Sequence, residues 1–197
     1  MASSTTQIAN LALGKLGQKR IDSLSEGSTE ARWAAELYPQ ARDFVTADGL
    51  WRHAEAIASL AEAGTNTRDD DWDYQYDRPS DCLKLRYLLP EEGGFDPRYP
   101  IRFITSGAAI FTDEQYARAV YTALTTDVTT FPPGFTDAVS WYLAHLLVQP
   151  LRQETRLVGD MLNGYRAAKA YALANEASEI LWINTAEEAM PDWQRRR

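Results

Sequence analysis

The spacing of apolar residues changes period twice along this chain, and that double change restricts the fold more than any other feature. Up to about residue 64 the apolar positions recur every three or four residues, from 65 to 131 they alternate, and from 132 onward the helical spacing returns. The first pattern buries one stripe of a helix and the second buries one face of a strand, so neither substitutes for the other. The order predicts two helical segments that share a core, with a β region inserted between them. The expected fold is mainly α with a small β region. A helical bundle spans 1–64 and 132–182 and has a long C-terminal helix. An antiparallel β subdomain is inserted at 65–131, and a C-terminal tail covers 183–197.

Local signals set the element ends. Ser4 and Gln7 have capping-box spacing ahead of Ile8, Leu11, Ala12 and Leu16, and Gly17 suits the left-handed residue that closes a helix. A second helix opens at Ser28 and carries Ala31, Ala34, Leu37, Tyr38, Ala41, Phe44 and Val45 on one face. Trp51, Ala54, Ala58 and Ala61 predict a third helical piece ending near Gly64. After the polar break "TNTRDDD", Trp72, Tyr74 and Tyr76 alternate with polar residues, and Leu83, Leu85, Tyr87 and Leu89 do the same. That alternation puts Cys82 on the face opposite Leu83 and Leu85. Further strands are expected at 101–104, at 109–111 and within "ARAVYTALTTDVTT", where Val, Tyr and Thr favour extended backbone. Helix resumes at Thr136 or Asp137, and Pro150 ends or kinks it. Val158, Met161, Tyr165, Ala168 and Ala172 mark a stripe on a last helix running to about Trp182.

Composition excludes several classes. Of 197 residues 45% are apolar, with 6 Trp and 10 Tyr, which argues against a disordered chain. No apolar run reaches the ~20 residues of a bilayer span, so no membrane association is expected. The opening lacks a basic n-region, so no signal peptide is expected. With 20 basic and 28 acidic side chains the net charge is -8, which opposes tight gripping of nucleic acid but not passage of DNA past the surface.

Residues that could carry chemistry are few. Cys82 is the only cysteine, and a nucleophilic thiol needs a histidine base, for which only His53 and His145 are available. Cys82, His53 and Asp81 can be assembled on paper, but no nucleophile signature surrounds them, and Cys82 reads as a small packed hydrophobe. His145 lies on a nearly all-apolar helix, the setting of a core or interface histidine. Asp69, Asp71 and Asp73 have the first three spacings of a calcium loop, but Tyr74 stands where Gly belongs and Ser80 where the bidentate Glu belongs. They read as a solvated acidic loop. Neighbouring acids at Glu91–Glu92 and Glu187–Glu188 point apart, and no glycine-rich phosphate cradle is present. No catalytic residue, metal or cofactor is expected.

Several short stretches, taken in order, resemble the tail tubular protein A family, the head-to-tail adaptors (connectors) of short-tailed phages. They are "IANLALGKLG" at 8–17, the helix start at Ser28–Ala31, the pair Trp51 and Ala54, "YQYDRPSDCL" at 74–83, "IFTD" at 110–113, and "FPPGFTDAVSWYLAHLL" at 131–147 before an Ala-rich helix. The likeness runs over roughly residues 5–180, and "RDDDWD" departs from the family's more basic strand-side residues.

The resemblance implies a structural virion protein without enzymatic activity. It would form a dodecameric ring with copies of itself between the portal protein and a tail nozzle similar to tail tubular protein B. The ring would extend the channel through which double-stranded DNA passes during packaging and ejection. Such a protein is made in the host cytoplasm and ends at the head-tail junction of the virion. Ile180, Leu181 and Trp182, followed by Trp193, Arg195, Arg196 and Arg197, are the expected portal-docking residues, because aromatic and Arg side chains anchor interfaces. Two other expectations compete: a small peptidoglycan-cleaving hydrolase carried in the tail, and a host helical scaffold.

Overall fold

The computed structural model describes residues 4–188, with side chains to residue 178. Trp193, Arg195, Arg196 and Arg197 lie outside the described residues, as do the side chains of Ile180, Leu181 and Trp182. The chain divides into two compact units. One is Met1–His53 with Thr126–Arg197, and the other is Ala54–Thr125. Among the described residues, four helices and two three-stranded antiparallel sheets give 46% helix and 18% strand, a mixed α/β chain rather than a mainly α one.

In the helical unit, α1 (Thr5–Lys15) is capped by Ser4, whose Oγ accepts the Gln7 N–H at 3.2 Å. It closes at Gly17, where φ is 64° and the next N–H, that of Gln18, reaches back to the Leu13 carbonyl at 2.9 Å. A side chain at that φ would be strained, which is why glycine is there. Asn10 breaks the apolar pattern of α1 because its amide clamps the Ile21 backbone, donating to the carbonyl and accepting from the N–H at 2.9 Å each. The second helix, α2 (Thr29–Asp48), starts from a Ser28 cap and buries Ala31, Ala34, Tyr38, Ala41 and Val45.

The third helix, α3 (Pro133–Leu151), begins before the expected Thr136. Proline fits the first helical position because the N–H it lacks has no helical partner there. α3 buries Phe135, Val139, Leu143 and Leu147, and it is the centre of the unit. α1, α2 and α4 all pack on it, while α1 and α2 scarcely touch each other. The fourth helix, α4 (Thr155–Glu188), runs past the expected end at Trp182 and buries Met161, Tyr165 and Ala172 of the predicted stripe. Two glycines let it close on α3. A Cβ on Gly164 would sit 2.4 Å from the Trp141 ring, and one on Gly134 would sit 2.7 Å from the Ala172 Cβ.

The β unit starts at Ala54, earlier than the expected residue 65. Trp51, Ala54, Ala58 and Ala61 do not make a third helix. After one 3-10 turn (Arg52–Ala54) the chain enters β1 (Glu55–Ser59). The same alanines also satisfy an alternating pattern, with Ala54, Ala56 and Ala58 separated by polar or exposed residues, and pairing with a neighbouring strand decides between the two. The remaining strands are β2 (Tyr74–Asp77), β3 (Cys82–Leu89), β4 (Phe103–Ser106), β5 (Ala109–Thr112) and β6 (Arg118–Ala123). One sheet has the order β1-β6-β3 and the other β2-β5-β4. Leu60, Tyr76, Leu88, Ile110, Ala119 and Tyr121 form the core of this unit, drawn from strands of both sheets.

Simple alternation fails in β3. Two irregularities interrupt its register with β6, between Cys82 and Lys84 and between Leu85 and Tyr87. Each adds a residue, so Cys82, Leu85 and Leu88 reach the core at a spacing of three. Cys82 therefore shares a face with Leu85 instead of opposing it.

Candidate functional site

The stretch around Cys82 forms a corner of the β unit. The Cys82 N–H donates to the Pro79 carbonyl at 3.0 Å, closing a turn. Arg78 donates to the Cys82 and Leu83 carbonyls at 2.9 and 2.8 Å. Asp81 accepts the Tyr121 hydroxyl at 3.1 Å, and its carbonyl accepts the Leu124 N–H at 2.7 Å. Most of these bonds hold backbone, the Tyr121–Asp81 bond joins two side chains, and Cys82 packs on the apolar core.

His53 belongs to the helical unit and Cys82 to the β unit. The His53 ring lies 4.5 Å from Phe135, 5.7 Å from Phe131 and 6.4 Å from Trp51, centroid to centroid. Both ring nitrogens are buried without a hydrogen-bond partner, and burial lowers the pKa to about 4. The ring is an aromatic wall, and its state makes the protein acid-sensitive. The folded chain keeps His53 neutral down to about pH 4, whereas an unfolded chain takes up the proton near pH 6.5. The associated stability is whole above pH 6.5 and is lost as the pH falls towards 4. We expect wild type to lose roughly 2 kcal/mol more than His53→Phe between pH 7 and pH 4.5, allowing for partial exposure of the ring. Urea melts of both proteins at the two pH values measure this, and equal pH slopes would refute it.

The remaining candidates are structural. His145 Nδ1 lies 3.0 Å from the Val158 carbonyl and ties α3 to the start of α4. In the acidic loop, the Asp71 carboxylate pairs with Arg68 at 2.9 Å, and the Asp73 N–H donates to the Asp113 carboxylate at 3.4 Å, so the loop is tied within the unit. No group of three or more His, Cys, Asp or Glu side chains is arranged to hold a metal among the described residues. None of the helices among them is long and apolar enough to cross a membrane.

Sequence reasoning missed a polar cluster on the helices. Asp48, the last residue of α2, accepts from the Tyr165 hydroxyl at 2.5 Å and from Lys169 Nζ at 2.6 Å. Burial, and then this bond, raise the Tyr165 pKa. Phe44 stacks on Tyr142 beside it, with ring centroids 4.2 Å apart. Tyr165 and Lys169 stand four apart on a helix, which is a legible signal, but nothing in the sequence joins them to Asp48.

The feature left for function is the far end of α4. Gly134, in the first turn of α3, lies against Ala172. α4 continues to Glu188, sixteen residues further and roughly 24 Å at 1.5 Å per residue. Ile180, Leu181 and Trp182 fall on this overhang.

No family model matches this chain, and no curated protein does.

Function therefore rests on the physical reading. This stretch of α4 begins beside a shallow groove of about 240 Å³ formed by Pro132, Pro133, Phe135, Ala172 and Asn175. Glu176, at its rim, accepts the Arg52 N–H at 3.3 Å and fixes the position of the chain leaving α2.

Proposed function

We propose that this chain is a head-to-tail adaptor of a short-tailed phage, a structural virion protein that acts by binding geometry without turnover. In this reading the four helices are one bundle centred on α3, and α4 is the arm it extends to the portal. Ile180, Leu181 and Trp182 supply the apolar part of the contact, and Trp193, Arg195, Arg196 and Arg197 supply the aromatic and cationic part. Twelve copies close a ring through head-to-tail contacts, which can repeat around an axis as a two-fold contact cannot. The opposite face of the ring receives the tail nozzle. The protein is made in the host cytoplasm and occupies the head-tail junction of the virion.

The observation that carries this reading is the length of α4, which continues from Ala172, where it meets Gly134, to Glu188 and carries Ile180, Leu181 and Trp182 in that stretch. Charge distribution supports it. The β unit holds thirteen acidic and seven basic side chains, so -6 of the total -8 lies in that unit. Acidic walls let double-stranded DNA pass without gripping it. Imaging of purified protein mixed with its cognate portal tests the proposal. A ring of twelve copies seated on one end of the portal is expected, and two proteins that elute separately from a sizing column would overturn it.

A further inference from the structure

The loop between β3 and β4 encloses a cleft of about 240 Å³ within the β unit. Leu88 and Ile101 form its floor, Phe95 and Tyr99 its aromatic side, and Asp96 and Glu114 carry its charge. The loop is pinned rather than draped. Arg118 donates to the Pro90 carbonyl at 3.0 Å and to the Gly93 carbonyl at 2.7 Å, and the Phe95 ring lies 4.5 Å from Tyr87. Glu114 is held by its backbone, whose carbonyl accepts the Tyr76 hydroxyl at 3.0 Å.

The two carboxylates differ. Both oxygens of Asp96 are taken by Arg98, at 3.0 and 2.8 Å, so that charge is already matched. The half-buried carboxylate of Glu114 has no partner among the described residues. Beside it Phe95 is 46% exposed and Tyr99 is 79% exposed, the highest value among the large apolar side chains described. A carboxylate without a matching cation, in a cleft also lined by two aromatic rings, suits a flat cation. A guanidinium forks onto a carboxylate and stacks on a ring, whereas an ammonium is a compact, strongly hydrated point charge. The loop contains such an arrangement in Arg98, which grips Asp96 while its guanidinium lies 5.9 Å from the Tyr99 centroid. The volume is below the ~300–1,000 Å³ of small-molecule sites and suits one long side chain. The net charge of -6 on this unit adds long-range attraction for a basic partner.

We infer that this cleft is a docking site for an arginine side chain presented by a partner protein. The inference does not depend on the adaptor reading. The test titrates acetylated hexa-arginine and hexa-lysine into the full chain, followed by amide NMR shifts at residues 88–101 and 114. Hexa-arginine is expected to bind at least tenfold more tightly than hexa-lysine, with shifts centred on Phe95, Tyr99 and Glu114. Glu114→Gln, which keeps the shape, and Tyr99→Ala, at an exposed position, should each weaken hexa-arginine at least tenfold. Asp70→Asn, which removes an exposed charge elsewhere on the unit, should cost less than twofold. Equal binding of the two peptides, or an equal loss with Asp70→Asn, would reduce the attraction to the general field of the unit and overturn the site. A marked gain in affinity on deleting residues 189–197 would assign the cleft to the chain's own terminal arginines and overturn the partner assignment.

Discussion

Trp51→Ala is expected to remove about 3–5 kcal/mol from the helical unit, the cost of deleting a large buried aromatic that its surroundings cannot refill. Trp51 is 1% exposed, and its indole N–H donates to the Val45 carbonyl at 2.7 Å. Its ring meets Phe135 edge-on at 5.0 Å, and Gly49 is shaped around it, since a Cβ there would lie 2.4 Å from the indole nitrogen. One side chain thus ends α2, seats the first turn of α3 and fills the space between them. Domains are stable by only about 5–15 kcal/mol, so this loss is about a fifth or more of the total. With a urea slope of about 2 kcal/mol per molar, the midpoint should fall by roughly 2 M. Trp51→Phe, which keeps most of the packing and loses the hydrogen bond, should cost about 1–2 kcal/mol. If Trp51→Ala melts within 1 kcal/mol of wild type, Trp51 is not the anchor described here.

Deleting residues 183–197 is expected to abolish assembly on the portal while leaving the urea melt of the free protein nearly unchanged. Met161, Tyr165 and Ala172, the buried residues of α4 among those described, all precede the cut, so the truncation spares them. Ordering a terminal segment on a partner costs roughly 1–2 kcal/mol per residue in backbone entropy, which only a substantial contact can offset. Trp193 and the three terminal arginines are the residues able to supply it. Sedimentation of truncated and full-length protein with portal reads the outcome directly. Truncated protein that still saturates the portal would show that residues 183–197 are dispensable and move the contact back to Ile180–Trp182 or elsewhere.

The helices were legible wherever a stripe and a cap agreed. Ser4, Gly17 and Ser28 act locally, through hydrogen bonds to residues three to five positions away, so the sequence alone exposes them. β6 was legible from its Val and Tyr content. β1 was not, because an Ala-rich segment fits either period and its strand conformation comes from pairing with β6, about sixty residues away. The irregularities of β3 were hidden for the same reason, since a bulge is a mismatch between two strands and leaves no trace in one of them. The start of α3 was misplaced by three residues because Pro133 fits the first helical position, where the backbone N–H it lacks has no partner. The cleft at Glu114 joins residues from three separate segments, and only the folded chain brings them together.

The central place of α3 has a consequence for how the protein is made. α1 and α2 scarcely touch each other, and both are buried by a helix that starts after the β unit. During synthesis at ~5–20 residues per second, the roughly 85 residues between α2 and α3 keep them waiting about 4–17 s. In that interval Ile8, Leu13 and Val45, all fully buried in the finished protein, have nothing to cover them. The β unit is complete once Thr125 has emerged and can close first. The helices at the start of the chain are synthesised early and finished late, which leaves their apolar stripes without the surface that buries them until α3 emerges.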